Sequence, residues 1–514
     1  MTRSGRKMFA QVLSAAPYGI EAQLVEVQCD VSPGLPGFAI VGLPEKEVSE
    51  ARERVRSAIR NIGLTFPQLR ITANLAPADL KKEGAGFDLA LAVALLVATG
   101  QVAAEATQDA VFLGELALDG GLRPVRGVLS MVLAARKTGI GRAVVAARSA
   151  PEAALVEGLA VYPVGSLGEA VAFLRGERTI PPAPRTLPEE EPPDWIDLSL
   201  VRGQEHARRA LEIAAAGAHH VVMVGPPGAG KSLLAKCLPG ILPLLAFEEA
   251  LEVTRIHSVA GLLSPERPLL RRRPFRSPHH TASYAGMVGG GHGIPSPGEI
   301  TLAHHGVLFL DELPEFDRKV LEALRQPLEE RRITVVRAGT SVAFPSSFML
   351  VGAMNPCPCG HLGDPLRPCR CRPHEVVGYR KRISGPFLDR VDLFVQVPRL
   401  TREELLGEGG GEPSEAVRAR VGSAREAQRA RFAGRVGTNA ELGPKDVRRF
   451  CKLTPEGKSL LARAVDHFAL TGRGYVRTLK VALTIADLSG AATIEPEHVA
   501  EALQYRAFPE EGIA

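Results

Sequence analysis

No stretch of this 514-residue chain approaches the roughly 18 uninterrupted apolar residues of a membrane-spanning helix. The best candidate, residues 89–99, is too short. The basic segment Met1–Lys7 is not followed by an apolar run, so the sequence does not predict a signal peptide. We therefore expect a cytoplasmic protein that does not associate with membranes.

A strong charge imbalance is absent as well. The 62 Lys and Arg side chains nearly balance the 57 Asp and Glu side chains, giving a net charge of +5. Net charge alone therefore does not predict nucleic-acid binding, and any such argument must come from local patches. The seven cysteines are an odd number, and four of them fall within residues 357–371, which argues against a secreted disulfide framework.

The length predicts about three domains, and an apolar content of 45% supports large cores. Overall we predict an α/β protein. Residues 1–175 alternate short strands and helices, including a hairpin of 111–118 with 121–124, and residues 176–196 form a Pro- and Glu-rich linker. A nucleotide-binding domain is predicted at 197–400 and a helical domain at 401–514.

The most informative stretch is a strand–loop–helix pattern at residues 221–238. Val221–Val224 predicts a buried parallel strand, and Leu233–Leu238 predicts a helix. Between them the chain fits G-x-x-x-x-G-K-[ST], whose backbone N–H groups cradle phosphates. Lys231 would reach the β- and γ-phosphates of ATP, and the Ser232 hydroxyl would ligate Mg²⁺. The predicted nucleotide-binding residues are Gly225, Pro226, Pro227, Gly228, Ala229, Gly230, Lys231 and Ser232.

Two later apolar strands end in polar residues of the kind an ATPase needs. Val307–Leu310 runs into Asp311 and Glu312. Asp311 would hold Mg²⁺ through water, and Glu312 would polarise the attacking water. A second strand, Phe348–Met354, ends in Asn355, which can orient water near the γ-phosphate. The alternative for the acidic pair is a surface turn after a buried strand.

The N-terminal part resembles the S5-like proteolytic domain of Lon proteases, on the stretches Lys82–Gly86 and Leu122–Leu129. That family uses a Ser–Lys dyad. Here the serine position falls on Gly86 and the lysine position on Leu129. Glycine has no nucleophile and leucine cannot act as a base, so the resemblance implies the fold without peptidase chemistry.

Nearly the whole chain resembles the ComM/YifB family of magnesium-chelatase-like AAA+ ATPases. The stretches that carry this resemblance are Arg273–His280, Met287–Gly291, Pro297–His304 and Asn355–Cys359. The resemblance implies an S5-like α+β domain, a central AAA+ αβα P-loop domain and a C-terminal helical lid, assembled as a homo-hexameric ring. It also implies a DNA helicase that drives branch migration in recombination or natural transformation. The alternatives are a chelatase-type motor subunit or a protein remodeller.

The same resemblance implies roles for two arginines. Arg390 lies in a segment, Gly385–Asp392, that resembles the one carrying the arginine finger, so it would reach a neighbour's ATP. The alternative is a surface ion pair with Asp389 or Asp392. Arg477 lies at the position of the family's second sensor arginine, with Arg473 as the competing choice.

The clustered cysteines follow the spacing C-x-C-x₉-C-x-C. They are Cys357, Cys359, Cys369 and Cys371. Four thiolates suit tetrahedral Zn²⁺, and a site with four protein ligands and no open position would be structural. The alternative is a cluster of reduced thiols without metal.

We predict the DNA contact in residues 331–345, which read as two short strands around a turn at Ala338-Gly339. In motors that this chain resembles, a hairpin at this place points into the central pore. Arg337 would contact a phosphate, with Arg273 and Arg276 as further contacts. The alternative is a hairpin that packs at a subunit interface.

Overall fold

The computed structural model describes residues 8–42, 46–78, 82, 84–186, 195–291, 294–337, 340–406, 410–434, 436–468 and 470–506. It confirms the predicted α/β class. A mixed sheet with helices is followed by a parallel sheet with helices and then by a helical C-terminal part. Within these residues, no helix has both the length and the apolar character needed to cross a membrane.

The described residues of the N-terminal part form nine strands and five α-helices. The strands are β1 (Phe9–Tyr18), β2 (Glu21–Ser32), β3 (Gly37–Val41), β4 (Arg70–Ala76), β5 (Ala110–Leu113), β6 (Glu115–Leu116), β7 (Leu122–Arg123), β8 (Arg142–Ala146) and β9 (Ala160–Val164). The helices are α1 (Lys46–Asn61), α2 (Asp88–Ala98), α3 (Val128–Lys137), α4 (Ala150–Ala153) and α5 (Leu167–Leu174). Seven of the strands form one sheet in the order β3-β4-β2-β1-β5-β8-β9.

Helices cover both faces of this sheet. The almost wholly apolar α2 is buried along nearly its entire length, with α1 packed beside it. Asp88 is the one charged residue of α2. It is buried and accepts two hydrogen bonds from Arg54 of α1, at 2.6 and 3.0 Å. On the other face lies α3, which also contacts the second part of the chain.

The predicted hairpin of 111–118 with 121–124 is only partly right. Its first residues form β5, which pairs in parallel with β1 and β8 inside the main sheet. Within the predicted range, only β6 and β7 pair as a hairpin. Glycine at position 114 separates β5 from β6, and a Cβ there would lie 2.7 Å from Leu122 Cδ2. The close approach of β7 explains why the strand is interrupted here.

The second part is built on a parallel sheet. Its strands are β10 (Val221–Val224), β11 (Phe275–Arg276), β14 (Val307–Leu310), β17 (Met349–Met354) and β18 (Leu393–Gln396), in the order β11-β14-β17-β10-β18. Its helices are α6 (Glu205–Gly217), α7 (Lys231–Ile241), α8 (Phe247–Val259), α9 (Tyr284–Val288), α10 (Glu299–Leu302), α11 (Arg318–Ala323), α12 (Arg325–Glu330), α13 (Pro373–Arg380) and α14 (Gly385–Leu388). The central strands are fully buried apolar runs, as expected for a parallel sheet covered on both faces.

Two small hairpins project from this sheet. They are β12 (Gly289–Gly290) with β13 (Ser296–Pro297), and β15 (Arg332–Arg337) with β16 (Thr340–Pro345). The predicted turn Ala338-Gly339 lies outside the described residues. Apolar side chains on one face of the β15–β16 hairpin are buried, whereas Val336 near the tip is 66% exposed.

The C-terminal part contains α15 (Arg402–Leu406), α16 (Ser414–Phe432), α17 (Pro444–Phe450), α18 (Pro455–His467), α19 (Gly472–Ser489) and α20 (Pro496–Gln504). Helices α16 and α19 pack against α6, and α16 also packs against α7. Their buried side chains join those of the parallel sheet in one hydrophobic cluster. The helical part is therefore fixed against the parallel sheet.

The N-terminal part is docked on the second part at two places. Helix α3 packs on α8, and the Gly127 N–H donates to Ser258 O at 3.2 Å. The turn between β1 and β2 meets the β15–β16 hairpin so closely that a Cβ at Gly19 would lie 2.3 Å from Val342 Cγ1. Gly19 has φ +63°, so both backbone conformation and space require glycine there.

Candidate nucleotide site and arginine cluster

The loop after β10 has the open, glycine-dependent backbone of a phosphate cradle. Gly228 and Gly230 have φ of +77° and +91°, and a Cβ at either would meet no atom within 4 Å. Gly225 differs, because a Cβ there would lie 2.0 Å from Val397 O at the end of β18. Gly228 and Gly230 thus leave space in front of the loop. Gly225 instead packs against the sheet, which fixes the start of the loop there.

Lys231 begins α7 and is buried within the loop. Its Nζ donates to Gly225 O at 2.6 Å, to Pro226 O at 2.9 Å and to Asn355 Oδ1 at 3.2 Å. Burial lowers the pKa of the ammonium to about 8, although nearby Asp311 opposes the shift. The structure therefore brings the predicted lysine and the predicted polar residue of β17 together.

Ser232 and Asp311 also meet, as a shared Mg²⁺ site requires. The Ser232 hydroxyl donates to Asp311 Oδ2 at 2.6 Å. Glu312 follows in a left-handed conformation with φ +54°, and its side chain is 57% exposed. The serine and aspartate oxygens are hard ligands of the type Mg²⁺ prefers.

Two residues at this site were not predicted from the sequence. His280 Nδ1 lies 3.2 Å from Glu312 Oε2, so the Arg273–His280 stretch reaches the carboxylate proposed to polarise water. Gln204 lies in the left-handed region with φ +57°, and its amide donates to Pro398 O at 2.6 Å and Ala229 O at 3.4 Å. Gln204 thereby ties the phosphate loop to the chain after β18.

The four clustered cysteines come together directly beside this loop. Sγ of Cys357, Cys359 and Cys369 lie 3.5 to 3.6 Å apart, and all four sulfurs lie within 4.8 Å of one another. Zinc bound tetrahedrally at 2.3 Å would separate its sulfurs by about 3.8 Å. The loop touches the nucleotide site, because a Cβ at Gly360 would lie 2.6 Å from Pro227 Cδ.

Backbone N–H groups point at the sulfurs. Leu362 N donates to Cys357 Sγ at 3.3 Å, and Cys359 N donates to Cys371 Sγ at 3.3 Å. Burial raises the pKa of the Cys357 thiol and raises that of Cys371 to about 12. For Cys359 burial acts in the same direction, but N–H donors and the neighbouring thiols outweigh it and lower the pKa to about 6. Such donors stabilise thiolates, which are the form that binds metal. The donor set and its spacing therefore fit Zn²⁺.

A second group of potential metal ligands has a different character. Nε2 of His304 and of His305 lie 3.2 and 3.1 Å from the same oxygen of Glu252. Ser347 N donates to His304 Nδ1 at 3.0 Å, so that nitrogen is an acceptor. In the neutral ring Nε2 must then carry the hydrogen, which it donates to Glu252. His304 therefore donates from Nε2 to Glu252 and does not offer that nitrogen as a metal ligand.

Arg390 and Arg477 lie at the opposite edge of the sheet. Arg390 is buried, and its Nη2 pairs with Glu329 Oε1 at 2.6 Å. Arg477 pairs with buried Asp392, whose amide donates to His220 O, the residue before β10. Since the phosphate loop follows β10, the length of that strand, about 13 Å, separates these arginines from it.

Burial opposes ionisation of Asp392, but Arg477 and His219 outweigh it and hold the pKa of the carboxyl well below its usual range. The competing choice, Arg473, is 58% exposed and lies 3.6 Å from Glu329. Neither surface pair predicted as the alternative for Arg390 forms, because its ion-pair partner is Glu329. Within one chain, none of these arginines reaches the phosphate loop.

The three predicted DNA contacts differ in exposure. Arg337 is exposed at the end of β15, and its Nε would lie 3.8 Å from a Cβ at Gly290 in the neighbouring hairpin. Arg276 forms a bidentate pair with Glu299 at 2.6 and 2.7 Å. Arg273 is buried and pairs with Glu249 at 3.0 Å. The structure argues against a DNA contact by Arg273, because its guanidinium faces the interior and is neutralised there.

The position that matches the Lon serine lies on the wall of a cavity of ≈590 Å³ between the N-terminal part and the second part of the chain. A Cβ at Gly86 would find its nearest neighbour, Val125 Cγ1, at 3.8 Å. Leu129 is fully buried. The cleft is therefore present with space for a side chain, but the two aligned positions offer neither hydroxyl nor amine.

Comparison with known proteins gives matches along almost the whole chain. The descriptions "Subunit ChlI of Mg-chelatase", "Magnesium chelatase, subunit ChlI" and "Magnesium chelatase, subunit ChlI C-terminal" match residues 27–149, 197–405 and 411–506. The "Competence protein ComM" of Haemophilus influenzae is 46% identical over 506 residues, covering 97% of this chain and 97% of that protein. The "Uncharacterized protein YifB" of Escherichia coli is 44% identical over 505 residues, with the same coverage. "Lon protease 2" of Bacillus subtilis is 31% identical over 144 residues, covering 26% of this chain and 25% of that protein.

Proposed function

This chain belongs to the magnesium-chelatase ChlI-like AAA+ family that includes ComM and YifB, and from that premise we propose that it is a Mg²⁺-dependent ATPase acting on DNA. In this proposal it works as a homo-hexameric translocase or helicase that promotes branch migration in recombination or natural transformation. The observation that carries the ATPase activity is the contact network of Lys231, Ser232, Asp311 and Asn355.

Each residue of that network has a distinct task. Backbone N–H groups of the loop from Gly225 to Gly230 bind the phosphates, and Lys231 neutralises the β- and γ-phosphates. Ser232 and Asp311 hold Mg²⁺, which offsets the charge that develops on the phosphates. Glu312 polarises the attacking water, and Asn355 orients it while remaining bonded to Lys231.

The arginines complete the site in trans. Arg390 and Arg477 cannot reach the phosphate loop of their own chain from the opposite edge of the sheet. We propose that in the ring this edge faces the nucleotide of a neighbour. Arg390 leaves Glu329, which is 45% exposed, and stabilises the γ-phosphate in the transition state.

The Cys357–Cys371 loop holds a structural zinc in this proposal. A metal with four thiolate ligands has no open position for chemistry, so its task is to fix the loop on Pro227 and beside Asn355. The basis for it is the spacing of the sulfurs and their N–H donors, given above.

In this proposal DNA binds at the tip of the β15–β16 hairpin. Arg337 is exposed there, and within the described residues it has no carboxylate partner. The hairpin leads into β17, and Asn355 directly follows that strand, so a change at the nucleotide can move the hairpin tip. Phosphate contacts release counterions, so binding should weaken with rising salt.

The test compares Arg337→Ala with Arg332→Ala. Arg332 lies at the base of the same hairpin and pairs with Glu330 at 3.4 Å, so its variant removes the same charge away from the tip. Arg337→Ala should keep basal ATP hydrolysis and ring assembly, but lose stimulation by single-stranded and branched DNA. Arg332→Ala should keep that stimulation.

Two results would redirect the proposal. Unchanged strand displacement by Arg337→Ala would move the DNA grip to another part of the chain. If the parent protein binds no DNA even at low salt, the chelatase-type motor or the protein remodeller becomes the better description. The ≈590 Å³ cavity beside Gly86 would then be the first place to look for a protein client.

A further inference from the structure

A cavity of ≈640 Å³ lies between the parallel sheet and the C-terminal helices. Its walls include His220 and Met349, at the amino-terminal ends of β10 and β17, together with residues of α16 and α19. The phosphate loop follows the other end of β10. The cavity is therefore separate from the nucleotide site of the same chain.

Charge on the cavity wall is not balanced. Each carboxylate there has an arginine partner: Glu249 with Arg273, Glu329 with Arg390, Asp392 with Arg477 and Glu441 with Arg331. Arg425, Arg429 and Lys480 also line the cavity. Across the described part of the chain, these three cations have no carboxylate within ion-pair distance. The wall thus carries three uncompensated positive charges.

One of these cations, Arg425, is buried, and Lys480 is half-buried. Arg425 is 6% exposed, and its Nε and Nη2 donate to Ala215 O at 2.9 and 2.6 Å. Lys480 Nζ donates to Ala440 O at 3.0 Å, which leaves further N–H groups for another acceptor. Burial lowers the pKa of Arg425 to about 9 and that of Lys480 to about 8, because neighbouring carboxylates do not offset it. A buried cation without a counter-charge is costly, so an anion should be attracted here.

Two hydroxyl groups of the wall also lack partners. Ser346 is 1% exposed and Thr438 is 7% exposed, and both line the cavity. Among the residues that the structure describes, neither hydroxyl oxygen has a hydrogen-bond partner. Buried polar side-chain atoms are normally hydrogen-bonded, so two hydroxyls without partners beside three cations that have no carboxylate partner indicate an acceptor-rich ligand.

We propose that this cavity binds a small phosphate-bearing anion with at least two negative charges, held by Arg425, Arg429, Lys480 and the hydroxyls of Ser346 and Thr438. Phosphate groups match this donor set, since they offer several acceptor oxygens to guanidinium, ammonium and hydroxyl donors. The volume exceeds what one orthophosphate needs, so a pyrophosphate or longer phosphate chain fits. Such an anion connects α16 and α19 to the chain before β17.

The experiment uses the full chain with Lys231→Ala, which removes the main phosphate-binding cation of the nucleotide site. Sodium pyrophosphate is titrated without Mg²⁺ and followed by calorimetry. We expect saturable binding. Adding Arg429→Ala should weaken it at least tenfold, and because Arg429 is exposed, folding should be unaffected. The matched control is Arg448→Ala, an exposed arginine of α17 outside the cavity, which should change the affinity less than twofold.

Hydrogen exchange locates the binding. Pyrophosphate should slow amide exchange in α16 and in the chain around Ser346. Absence of saturable binding in the Lys231→Ala chain would overturn the proposal. Equal weakening by Arg429→Ala and Arg448→Ala would overturn it too, since the anion would then respond to general surface charge. Protection confined to residues 225–232 would assign the anion to the phosphate loop and would also overturn it.

Discussion

The two edges of the ATPase sheet present different kinds of groups. At the carboxyl edge, Lys231 donates to the backbone of the loop and Ser232 donates to Asp311, and these are the residues proposed to hold phosphates and Mg²⁺. At the amino edge, Arg390 and Arg477 are each bound to a carboxylate of their own chain. One chain therefore carries every proposed part of an ATPase site but separates them by the length of β10.

This separation has a consequence for function. Groups that bind the ground state of ATP are together in one chain, so the isolated protein should bind nucleotide. The arginines proposed to add further stabilisation in the transition state lie at the other edge, so hydrolysis should depend on a neighbour. Substitutions at the two edges should therefore affect nucleotide binding and hydrolysis differently.

Arg390→Ala should have the largest effect on hydrolysis. We expect ATP binding by the isolated chain to be unchanged and kcat in the assembled protein to fall by about 10³- to 10⁵-fold, the usual contribution of an arginine finger. The control is Glu329→Gln, which breaks the same ion pair and leaves the guanidinium in place. Equal losses in the two variants would show that the pair is structural.

Glu312→Gln should come next. Its amide cannot polarise water, so kcat should fall by about 10²- to 10⁴-fold, while Asp311 continues to hold Mg²⁺ and ATP affinity is retained. Glu315→Gln is the matched control, because Glu315 pairs with Arg382 on the surface three positions away. A parental rate in Glu312→Gln would assign the water-polarising role to another residue.

The pH dependence of ATP affinity should be smaller. The pKa of Lys231 is lowered to about 8, so its ammonium is mostly charged at pH 7 and mostly neutral at pH 9. Phosphates attract the charged form, and Kd should rise about tenfold over this interval. Lys231→Met should bind weakly and lose this dependence, whereas Lys236→Met, on the exposed face of α7, should keep it. A flat profile in the parent would contradict the role of Lys231.

Zinc removal should have the mildest effect on the nucleotide site. We expect about one zinc per chain, lost in Cys369→Ser and retained in Cys451→Ala, whose thiol is buried elsewhere. Loss of the metal should lower Tm by a few degrees and loosen the contact between Gly360 and Pro227. Elemental analysis of protein purified without added metal is the measurement. Negligible zinc with four freely titratable thiols would contradict the assignment.

The sequence predicts the carboxyl edge well because its signals are local. A contiguous glycine pattern places Lys231 and Ser232, and apolar strands that end in polar residues place Asp311 and Asn355. Parallel strands bring such ends to one edge, so their meeting follows from the fold class. The short hairpin of β6 and β7 is harder to predict from the sequence, because a single residue, Gly114, decides where β5 ends and the chain leaves the main sheet.

The amino edge could not be predicted in the same way. The position of Arg477 depends on how α19 packs against α6, and the burial of Arg273 depends on Glu249, 24 residues earlier in the chain. The contact of His280 with Glu312 joins two loops that no periodic pattern relates. Such pairings arise from tertiary packing between distant segments, which a single sequence does not reveal.

The central claim is that one reaction centre is shared between two copies of the chain. It is tested by mixing Arg390→Ala with Glu312→Gln subunits that are each inactive and are shown to assemble together. At equal amounts, about a quarter of the junctions would combine an intact Glu312 from one copy with an intact Arg390 from its neighbour. We expect ATP hydrolysis to return in the mixture. Mixed rings that stay as inactive as either variant alone would contradict it.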